Sequence, residues 1–370
     1  MPQPEVTPLR WRDPPMGEVA TPDGRLQLTL SVGSGLTRRA GDPPGRVWGL
    51  GDRGPNIKIK TAIKRYGLKH LEPLKDLAGA KILPLATFQP SLSELQIVGD
   101  RVELVRSLPL HTTHGPLSGR ALPRSAEAAT EPTFDLSGQP LAADPSGADP
   151  EGVVALADGG FWVAEEYGPS LLRVDPAGRV LTRWTPQGLE LPGAEPVLPA
   201  AALQRRLNRG FEGLAISADE RWLYVVFQSA LVGERPMATA IWKLDARNGS
   251  LVDEYAYPFD RPESFTADAA SGEVEVADLK VCELVWLGPD RLLVLERISQ
   301  SARLYSVELN VPGALAKTLL FSTDHHEGIA SDLEGVALLS DRELLLVTDN
   351  DFGVEGAETR FYRLRFEAAF

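Results

Sequence analysis

Short apolar runs separated by turn-forming residues make up most of the chain. Runs of Val, Leu, Ile, Trp and Tyr alternate with Gly, Pro, Asp and Asn, as in antiparallel strands joined by tight turns. Apolar residues at helical spacing are found only in segments 61–77 and 201–208, where they predict two short helices. The pattern therefore predicts an all-β fold.

One order of features recurs along the chain: a carboxylate, an apolar strand, a turn, a second apolar strand, a polar pair and a third strand. Its copies begin with "PEGVVALADGGFWVAEE" at Pro150, "FEGLAISADERWLYVVFQS" at Phe211, "CELVWLGPDRLLVLER" at Cys282 and "LEGVALLSDRELLLVTDND" at Leu333. A weaker copy from Gly33 has Ser34 in place of the carboxylate. Four antiparallel strands repeated radially are typical of a β-propeller. We predict a single β-propeller of about six blades, with five or seven as alternatives and a pair of β-sandwiches as the competing architecture.

The remaining segments set the expected boundaries. Residues 1–23 are Pro-rich and predict an extended N-terminal segment, followed by the propeller domain over 24–370. Segment 108–148 is rich in Pro, Gly and Ser and predicts a long loop over one face. The N-terminal segment lacks the apolar core of a signal peptide. No apolar run approaches the ~18 residues that a transmembrane helix needs.

The carboxylates of the repeat are expected to meet at one place. In an antiparallel hairpin, the start of one strand and the end of the next lie at the same edge. Innermost hairpins of a propeller would gather these edges around one mouth of the central channel. The predicted metal-binding carboxylates are Glu151, Glu165, Glu212, Glu283, Glu296, Glu334, Asp349 and Asp351.

Crowding of this kind needs compensation. Two like charges ~4 Å apart repel by roughly 4 kcal/mol at an effective dielectric constant of about 20. Some carboxylates can stay protonated, some can pair with arginine, or a divalent cation can bind between them. An oxygen-only ligand set favours Ca²⁺. The alternative for each glutamate is a carboxylate that caps a turn by accepting backbone amides.

A few other residues complete the predicted site. In "GLGDRGPNIKIK", Arg53 and Lys58 form a basic spot that can either clamp a phosphate or pair with acidic residues at the surface. The further candidates are Arg297 and Tyr167 for substrate binding, and Glu166 and His325 for proton transfer.

Composition narrows the classes of function. The 370-residue chain has a net charge of −13 and a pI near 5.0, which makes nucleic acid and anionic lipid poor partners. A single cysteine, Cys282, excludes an internal disulfide and a cysteine-rich zinc site. The motifs GxxxxGK[ST], GxSxG and HExxH are absent, so nothing supports a nucleotide-binding loop, a serine-hydrolase elbow or a zincin site.

The chain resembles the phytase-like family of bacterial proteins, named for the esterase-like activity of phytase. The similar stretches are "DPEGVVALADGGFWVAEEYGPSLLRVDPAGRV", "RGFEGLAISADERWLYVVFQS" and "SDLEGVALLSDRELLLVTDND", and the resemblance runs from Gly33 to Phe370. The Glu-Gly starts and "EEYGP" are its most specific parts. It implies a β-propeller, often periplasmic or secreted, whose acidic residues support Ca²⁺-assisted phosphoester hydrolysis.

The leading functional hypothesis is a calcium-dependent hydrolase of a small phosphomonoester or phosphodiester, with a monomer favoured. Bound Ca²⁺ would neutralise the carboxylates, orient phosphate oxygens and lower the pKa of an attacking water. One alternative is a non-catalytic propeller that binds a ligand or a partner protein, because fold alone does not imply catalysis. The other is a calcium-dependent lactonase or carboxylesterase that uses the same acidic mouth.

Overall fold

Five antiparallel sheets, each of four strands, surround a central channel in the computed structural model, which describes residues 3–124, 130–309 and 315–370. From the channel outward, blade 1 contains Gly35–Thr37, Arg46–Leu50, Ser91–Val98 and Arg101–Pro109. Blade 2 contains Pro150–Ala155, Phe161–Glu165, Ser170–Val174 and Val180–Pro186, with the short parallel strand Glu195–Leu198 added at its edge. Blade 3 contains Phe211–Ile216, Trp222–Phe227, Ala238–Asp245 and Leu251–Pro258. Blade 4 contains Lys280–Gly288, Arg291–Arg297, Ala302–Glu308 and Lys317–Ser322, and blade 5 contains Leu333–Ser340, Glu343–Thr348, Phe361–Arg365 and Glu5–Leu9.

The innermost strands hold the blades together as a ring. Each of them contacts the innermost strands of both neighbouring blades, and blade 5 meets blade 1 in the same way. The outermost strand of blade 5, Glu5–Leu9, comes from the N-terminal segment and pairs with Phe361–Arg365. Residues from both ends of the sequence therefore share one sheet, and the predicted all-β propeller is confirmed.

The apolar core lies between neighbouring blades. Tyr257, Phe265 and Leu292 belong to the cluster between blades 3 and 4. Phe211 and Trp242 belong to the cluster between blades 2 and 3. The second strand of each blade is covered on both faces, so it appears in the sequence as a nearly continuous apolar run and not as strict alternation.

The described residues form five such sheets, one fewer than the favoured estimate and equal to its lower alternative. The difference arises in residues 51–90, which follow the second strand of blade 1 and build the larger part of a cap beside the channel mouth. The cap consists of the hairpin Pro15–Thr21 and Gly24–Thr29, the short strands Ile57–Lys58, Lys81–Ile82 and Thr133–Phe134, the helix Ile59–Tyr66 and the 3-10 helix Lys69–Leu74. It has an apolar cluster of its own, which includes Leu26, Leu71 and Phe134.

Helices are shorter than the sequence pattern suggested. The helix expected over 61–77 ends at Tyr66 because Gly67 adopts a left-handed conformation with φ of 67°. The segment 201–208 contains only the 3-10 helix Ala200–Gln204. The remaining elements are the helix Thr266–Ser271, the 3-10 helices Pro262–Ser264, Val276–Asp278, Thr323–His325 and Asp351–Gly353, and the hairpin His111–Thr112 with Gly115–Pro116. Part of the loop expected over 108–148, residues 125–129, lies outside the described residues.

Candidate functional site

Most of the innermost strands begin with a β-bulge that marks the channel mouth. In blade 2, Pro150 pairs with Glu165 and Gly152 pairs with Ala164, so Glu151 has no partner in the ladder. The ladder is interrupted in the same way at Glu334 in blade 5 and at Glu212 and Gly213 in blade 3, which have no partner in it. A bulge re-aims the extra residue, and the carboxylates of Glu151, Glu212 and Glu334 line one cavity at this end of the channel.

The strand register corrects one equivalence between the repeats. In blade 4, Val281 pairs with Glu296 and Glu283 pairs with Leu295, so the bulged residue is Cys282. Cys282 therefore occupies the position of Glu151, while Glu283 occupies the position of the following glycine. Aligning the repeats by their glutamates made Glu283 equivalent to Glu151. Glu283 in fact lies one position later in the motif, because a cysteine occupies the Glu151 position of blade 4.

A second set of side chains comes from the ends of the second strands. The residues at equivalent positions, counted from the strand register, are Asp52, Glu166, Gln228, Arg297 and Asp349 in blades 1 to 5. All five line the same cavity as the bulge carboxylates. The prediction that the starts and ends of inner hairpins meet at one mouth agrees with this placement.

The mouth cavity has a volume of about 350 Å³ and an unbalanced charge. Nine carboxylate residues and five cationic residues line it, so a surplus of negative charge faces the enclosed space. The cap supplies Asn56, Lys58 and Lys81 to one wall, and Lys280 of blade 4 stands at another. Asp351, from the turn that follows blade 5's second strand, completes the acidic rim.

Three carboxylates approach each other most closely. Single oxygens of Asp52, Asp149 and Glu151 all lie within 4.8 Å of one another. Burial raises the pKa of Glu151 well above its usual range, and the charges of Asp149 and Glu212 raise it further. Burial likewise raises the pKa of Asp52, with Asp149 as the next cause. We call Asp52, Asp149 and Glu151 the carboxylate triplet.

Arg53 lies beside the triplet and pairs with several acidic side chains. Its guanidinium is 2.6 Å from an oxygen of Asp149 and 3.7 Å from an oxygen of Glu166, and it also pairs with Glu131 and bonds to Asn208. It is buried and stacks over the Tyr167 ring at 4.9 Å. Arg53 therefore anchors acidic side chains at the wall of the cavity through its two terminal nitrogens, whereas its buried Nε has no hydrogen-bond partner among the described residues.

Two further carboxylates of the mouth hold protons readily. Burial raises the pKa of Glu166 to about 8, with Asp149 as the next cause. Burial and the neighbouring Glu334 raise the pKa of Asp349 to about 8 as well. Asp349 accepts hydrogen bonds from Ser31 Oγ at 2.5 Å and from the Asp351 amide at 3.1 Å. These two residues are protonated for much of the time at neutral pH.

A second close group joins Glu212, Cys282 and Glu334, the bulge residues of three successive blades. The thiol of Cys282 accepts a hydrogen bond from Arg297 Nε at 3.1 Å, and burial raises its pKa to about 12. Arg297 also pairs with Glu334 and with Asp332. This group already contains its own cation, and its thiol stays protonated. Glu212 Oε2 is the exception, since it is buried and has no hydrogen-bond partner in the described structure.

Three lysines line the cavity, two from the cap and one from blade 4. Lys58 and Lys81 are paired across adjacent strands of the cap, and Lys280 lies at the start of blade 4. Within residues 3–124, 130–309 and 315–370, none of the three has a carboxylate at ion-pair distance. Lys81 donates to Asn56 Oδ1 at 3.2 Å, and burial lowers its pKa. The lysines are therefore available to an anion in the cavity.

Several predicted site residues lie away from the cavity. Glu165 accepts bonds from the Tyr167 amide at 2.7 Å, the Ser170 hydroxyl at 2.7 Å and Arg183 at 2.9 Å, inside blade 2. Tyr167 packs in a small apolar cluster and donates to the Gly119 carbonyl at 2.9 Å. Glu165 and Tyr167 therefore lie behind the residues that line the mouth and support them.

Glu296 and His325 also lie outside the mouth cavity. Glu296 accepts bonds from Tyr257 Oη at 2.6 Å and from Lys317 Nζ at 2.6 Å, inside blade 4. His325 is exposed and borders a separate polar cavity with Asp260 and Arg303. Of the two candidates for proton transfer, only Glu166 stands in the mouth.

The sequence comparison did not propose Asp52, Asp149, Lys81 or Lys280 as site residues. The repeat does bring Asp52 to the mouth, because it follows the second strand of the weak copy as Glu166 follows that of blade 2, but no role was assigned to it. Asp149 directly precedes the Pro-Glu-Gly motif. Lys81 gives no local signal, since it reaches the mouth only through the pairing of distant cap strands.

Comparisons with known sequences and structures identify several similar proteins. The chain matches a fungal protein of Arthroderma benhamiae, described as an uncharacterized secreted protein, at 32% identity over 224 residues. The match covers 50% of this chain and 40% of that protein, so it spans less than half of the relative's length. Among the described residues, no helix has the length and apolar character needed to cross a membrane.

Solved structures of similar shape include two of interest. One is a putative oxidoreductase (glucose dehydrogenase) of Thermus thermophilus, at 15% identity and a TM-score of 0.40, with 98% of this chain and 99% of that chain covered. The other is a periplasmic gluconolactonase of Pseudomonas aeruginosa, at 10% identity and a TM-score of 0.34, with 99% and 85% covered.

The family comparison covers most of the chain. A family model described as phytase-like, esterase-like activity of phytase, matches residues 31–352. That range includes the bulge motifs of all the blades and both groups of mouth carboxylates. The chain therefore belongs to the phytase-like family, as its repeat motifs predicted.

Proposed function

We propose that the channel mouth is the active site of a calcium-dependent hydrolase of small phosphoesters. One observation carries the proposal: two members of the carboxylate triplet, Asp52 and Glu151, line a cavity of about 350 Å³ together with three lysines that have no carboxylate at ion-pair distance among the described residues. A group of carboxylates suits a hard cation, whereas lysines suit the anionic part of a substrate. A phosphoester bound to a cation needs both kinds of group.

The triplet fits calcium better than the second group does. Asp52, Asp149 and Glu151 would hold the ion, since single oxygens of the three lie within 4.8 Å of one another. Its ligands are all carboxylate oxygens, the type that calcium prefers. Each group contains one carboxylate paired with an arginine, Asp149 with Arg53 and Glu334 with Arg297, so the second group differs by its Cys282 thiol, whose pKa burial raises to about 12. When bound, calcium would supply positive charge to phosphoryl oxygens and lower the pKa of a nearby water.

The other residues of the mouth take separate roles in the proposal. Lys58, Lys81 and Lys280 bind the phosphoryl oxygens, and Glu166 holds the proton that the leaving group receives. Arg53 and Arg297 keep neighbouring carboxylates in place, because their guanidinium groups are already engaged. His325 has no part, since it borders another cavity.

The first experiment measures calcium binding and turnover on the full chain. We expect calcium to raise the melting temperature after treatment with EDTA, and to support hydrolysis of p-nitrophenyl phosphate or bis(p-nitrophenyl) phosphate. A lactone and p-nitrophenyl acetate are assayed in parallel. Turnover of these alone would replace the phosphoester by a carboxylic ester, and calcium binding without any turnover would indicate a binding protein.

Substitutions at single positions test the role proposed for each residue. Glu151→Gln removes one triplet charge, so we expect both the calcium-induced thermal shift and the turnover to be lost. Lys81→Gln keeps the shift but raises KM about tenfold, as expected for one lost charge-assisted bond. Glu190→Gln, at an exposed position, is the matched control. An unchanged calcium shift in Glu151→Gln would contradict the placement of the cation.

A further inference from the structure

The centre of the channel contains one buried carboxylate, that of Glu283. At the position after each bulge, four of the five blades have glycine, namely Gly35, Gly152, Gly213 and Gly335. Glu283 is the fifth member of this ring and its only side chain. It is fully buried, and it lines neither the mouth cavity nor the apolar cavity at the opposite end of the channel.

The glycines are required by the close approach of neighbouring blades. A Cβ atom at Gly152 would lie 2.3 Å from the carbonyl oxygen of Glu212, and one at Gly213 would lie 2.6 Å from the amide nitrogen of Leu284. Contacts this short are not tolerated by backbone atoms. The inner strands therefore press together, and the space they leave on the channel axis is filled by the side chain of Glu283.

Backbone amides of several blades converge on the Glu283 carboxylate. The amide of Leu36 in blade 1 donates at 3.1 Å, and that of Leu284 in blade 4 donates at 3.1 Å. The amides of Leu214 in blade 3 and Val336 in blade 5 are further donors, and the four bonds oppose the burial that raises the pKa of Glu283 well above its usual range. Each donor is the residue that follows a member of the ring, so the propeller geometry itself builds a concave cluster of N–H groups. Such a cluster binds anions.

We infer that the inner strands form an anion-binding site on the channel axis, which the chain fills with its own Glu283. The carboxylate closes the channel between the mouth and the apolar cavity beyond, and it ties four blades together. Two of its donors, Leu214 and Val336, stand two residues after Glu212 and Glu334. Glu283 is therefore a positioning residue for the mouth, and this inference does not depend on which ester the mouth hydrolyses.

A vacated site should accept a small anion. Glu283→Gly makes all five ring positions glycine and leaves the amides without an acceptor. We expect its melting temperature to be lower than that of the wild type by roughly 5 °C or more. Sodium formate, whose carboxylate fits the space, should restore at least half of the loss, with saturation in the millimolar range.

Two variants separate this effect from general destabilisation. Leu292→Ala truncates a buried residue of the same blade away from the channel, and formate should stabilise it no more than the wild type. Glu283→Gln keeps the shape but sets an NH₂ group among N–H donors. It should be less stable than the wild type and insensitive to formate, because the space remains filled.

Each outcome decides the inference. If Glu283→Gly does not fold in buffer, recovery of folded protein by refolding in formate supports it, and equal recovery of Leu292→Ala contradicts it. Equal formate effects on all the variants, or a Glu283→Gln protein as stable as the wild type, would overturn it. Failure of the calcium assays leaves these stability results unaffected, so the two proposals fail separately.

Discussion

Blades 2 and 4 hold different side chains at four equivalent positions of their inner hairpins. Blade 2 has Glu151, Gly152, Glu165 and Glu166, and blade 4 has Cys282, Glu283, Glu296 and Arg297. The two blades agree only at the third position, where Glu165 and Glu296 are both fully buried. Each of these glutamates bonds to a cation on the outermost strand of its own blade, Arg183 or Lys317. The position at which the two blades have the same residue therefore has a structural role inside the blade.

The positions that differ are the ones that face the channel. Blade 2 brings Glu151 and Glu166 to the mouth, whereas blade 4 brings a protonated thiol and Arg297. One side of the mouth thus has carboxylates in excess, and the opposite side has a cation of its own. The comparison teaches that a repeated motif can keep its structural carboxylate while its functional positions diverge, which gives the mouth a polarity suited to one cation on one side.

The largest effect is expected where the blades agree. Glu165→Gln leaves Arg183 buried without a counter-charge, which costs about 3–5 kcal/mol when one partner of a buried pair is removed. Glu296→Gln should cost less, because Lys317 keeps Asp260 at 2.7 Å. Chemical denaturation of both variants measures the difference, with Glu190→Gln as the exposed control. A smaller loss for Glu165→Gln than for Glu296→Gln would break the comparison.

The positions at which blades 2 and 4 differ in charge should affect stability less, and this effect depends on pH. The pKa of Glu166 is about 8 in the folded protein and near 4.5 when unfolded, so the folded state binds more protons between these values. Its contribution to stability is fully present below about pH 4.5 and is lost as the pH rises through about 8, with a slope of up to about 1.4 kcal/mol per pH unit. The melting temperature in EDTA should therefore fall between pH 6 and pH 9.

Substitutions in blades 2 and 4 should change the pH dependence of the melting temperature in opposite directions. Glu166→Gln should reduce the slope without abolishing it, because the pKa of Asp349 is also about 8. Arg297→Gln should make the slope steeper, since Arg297 holds down the pKa of Glu334. Melting curves in EDTA at several pH values give both slopes. Identical slopes in the two variants would show that the mouth lacks the proposed polarity.

Much of the fold could be predicted from the sequence, because the repeat reports directly on local structure. An apolar run bounded by a turn specifies a strand, and the Glu-Gly start specifies a bulge at the channel. The number of blades could not be inferred from unit length, since the cap of residues 51–90 interrupts blade 1 and adds length without adding a sheet. The outermost strand of blade 5 lies more than 300 residues away from its partner, so no local pattern reveals it.

The candidate site was predictable in its location but less so in its members. Antiparallel geometry placed the hairpin ends at one mouth, yet a change of one position decides which side of a strand faces the channel. Glu165 and Glu166 are neighbours in the chain, but only Glu166 lines the cavity. Glu283 shows the same limit, because the bulge at Cys282 shifts it from the mouth to the channel axis. Strand register decides which of these side chains face the mouth, and register depends on the pairing between strands.

The smallest effect is expected for Cys282→Ser. The serine hydroxyl can accept the bond from Arg297 Nε that the thiol accepts now, so the free energy of unfolding should change by less than about 1 kcal/mol. The calcium-induced thermal shift should be unchanged, because the cation is placed at the triplet and not at Glu212, Cys282 and Glu334. Glu151→Gln, which loses the shift, is the matched comparison at the equivalent position of blade 2. A reversed result, with the shift lost in Cys282→Ser and kept in Glu151→Gln, would move the cation to the opposite side of the mouth and invert the polarity assigned to the two blades.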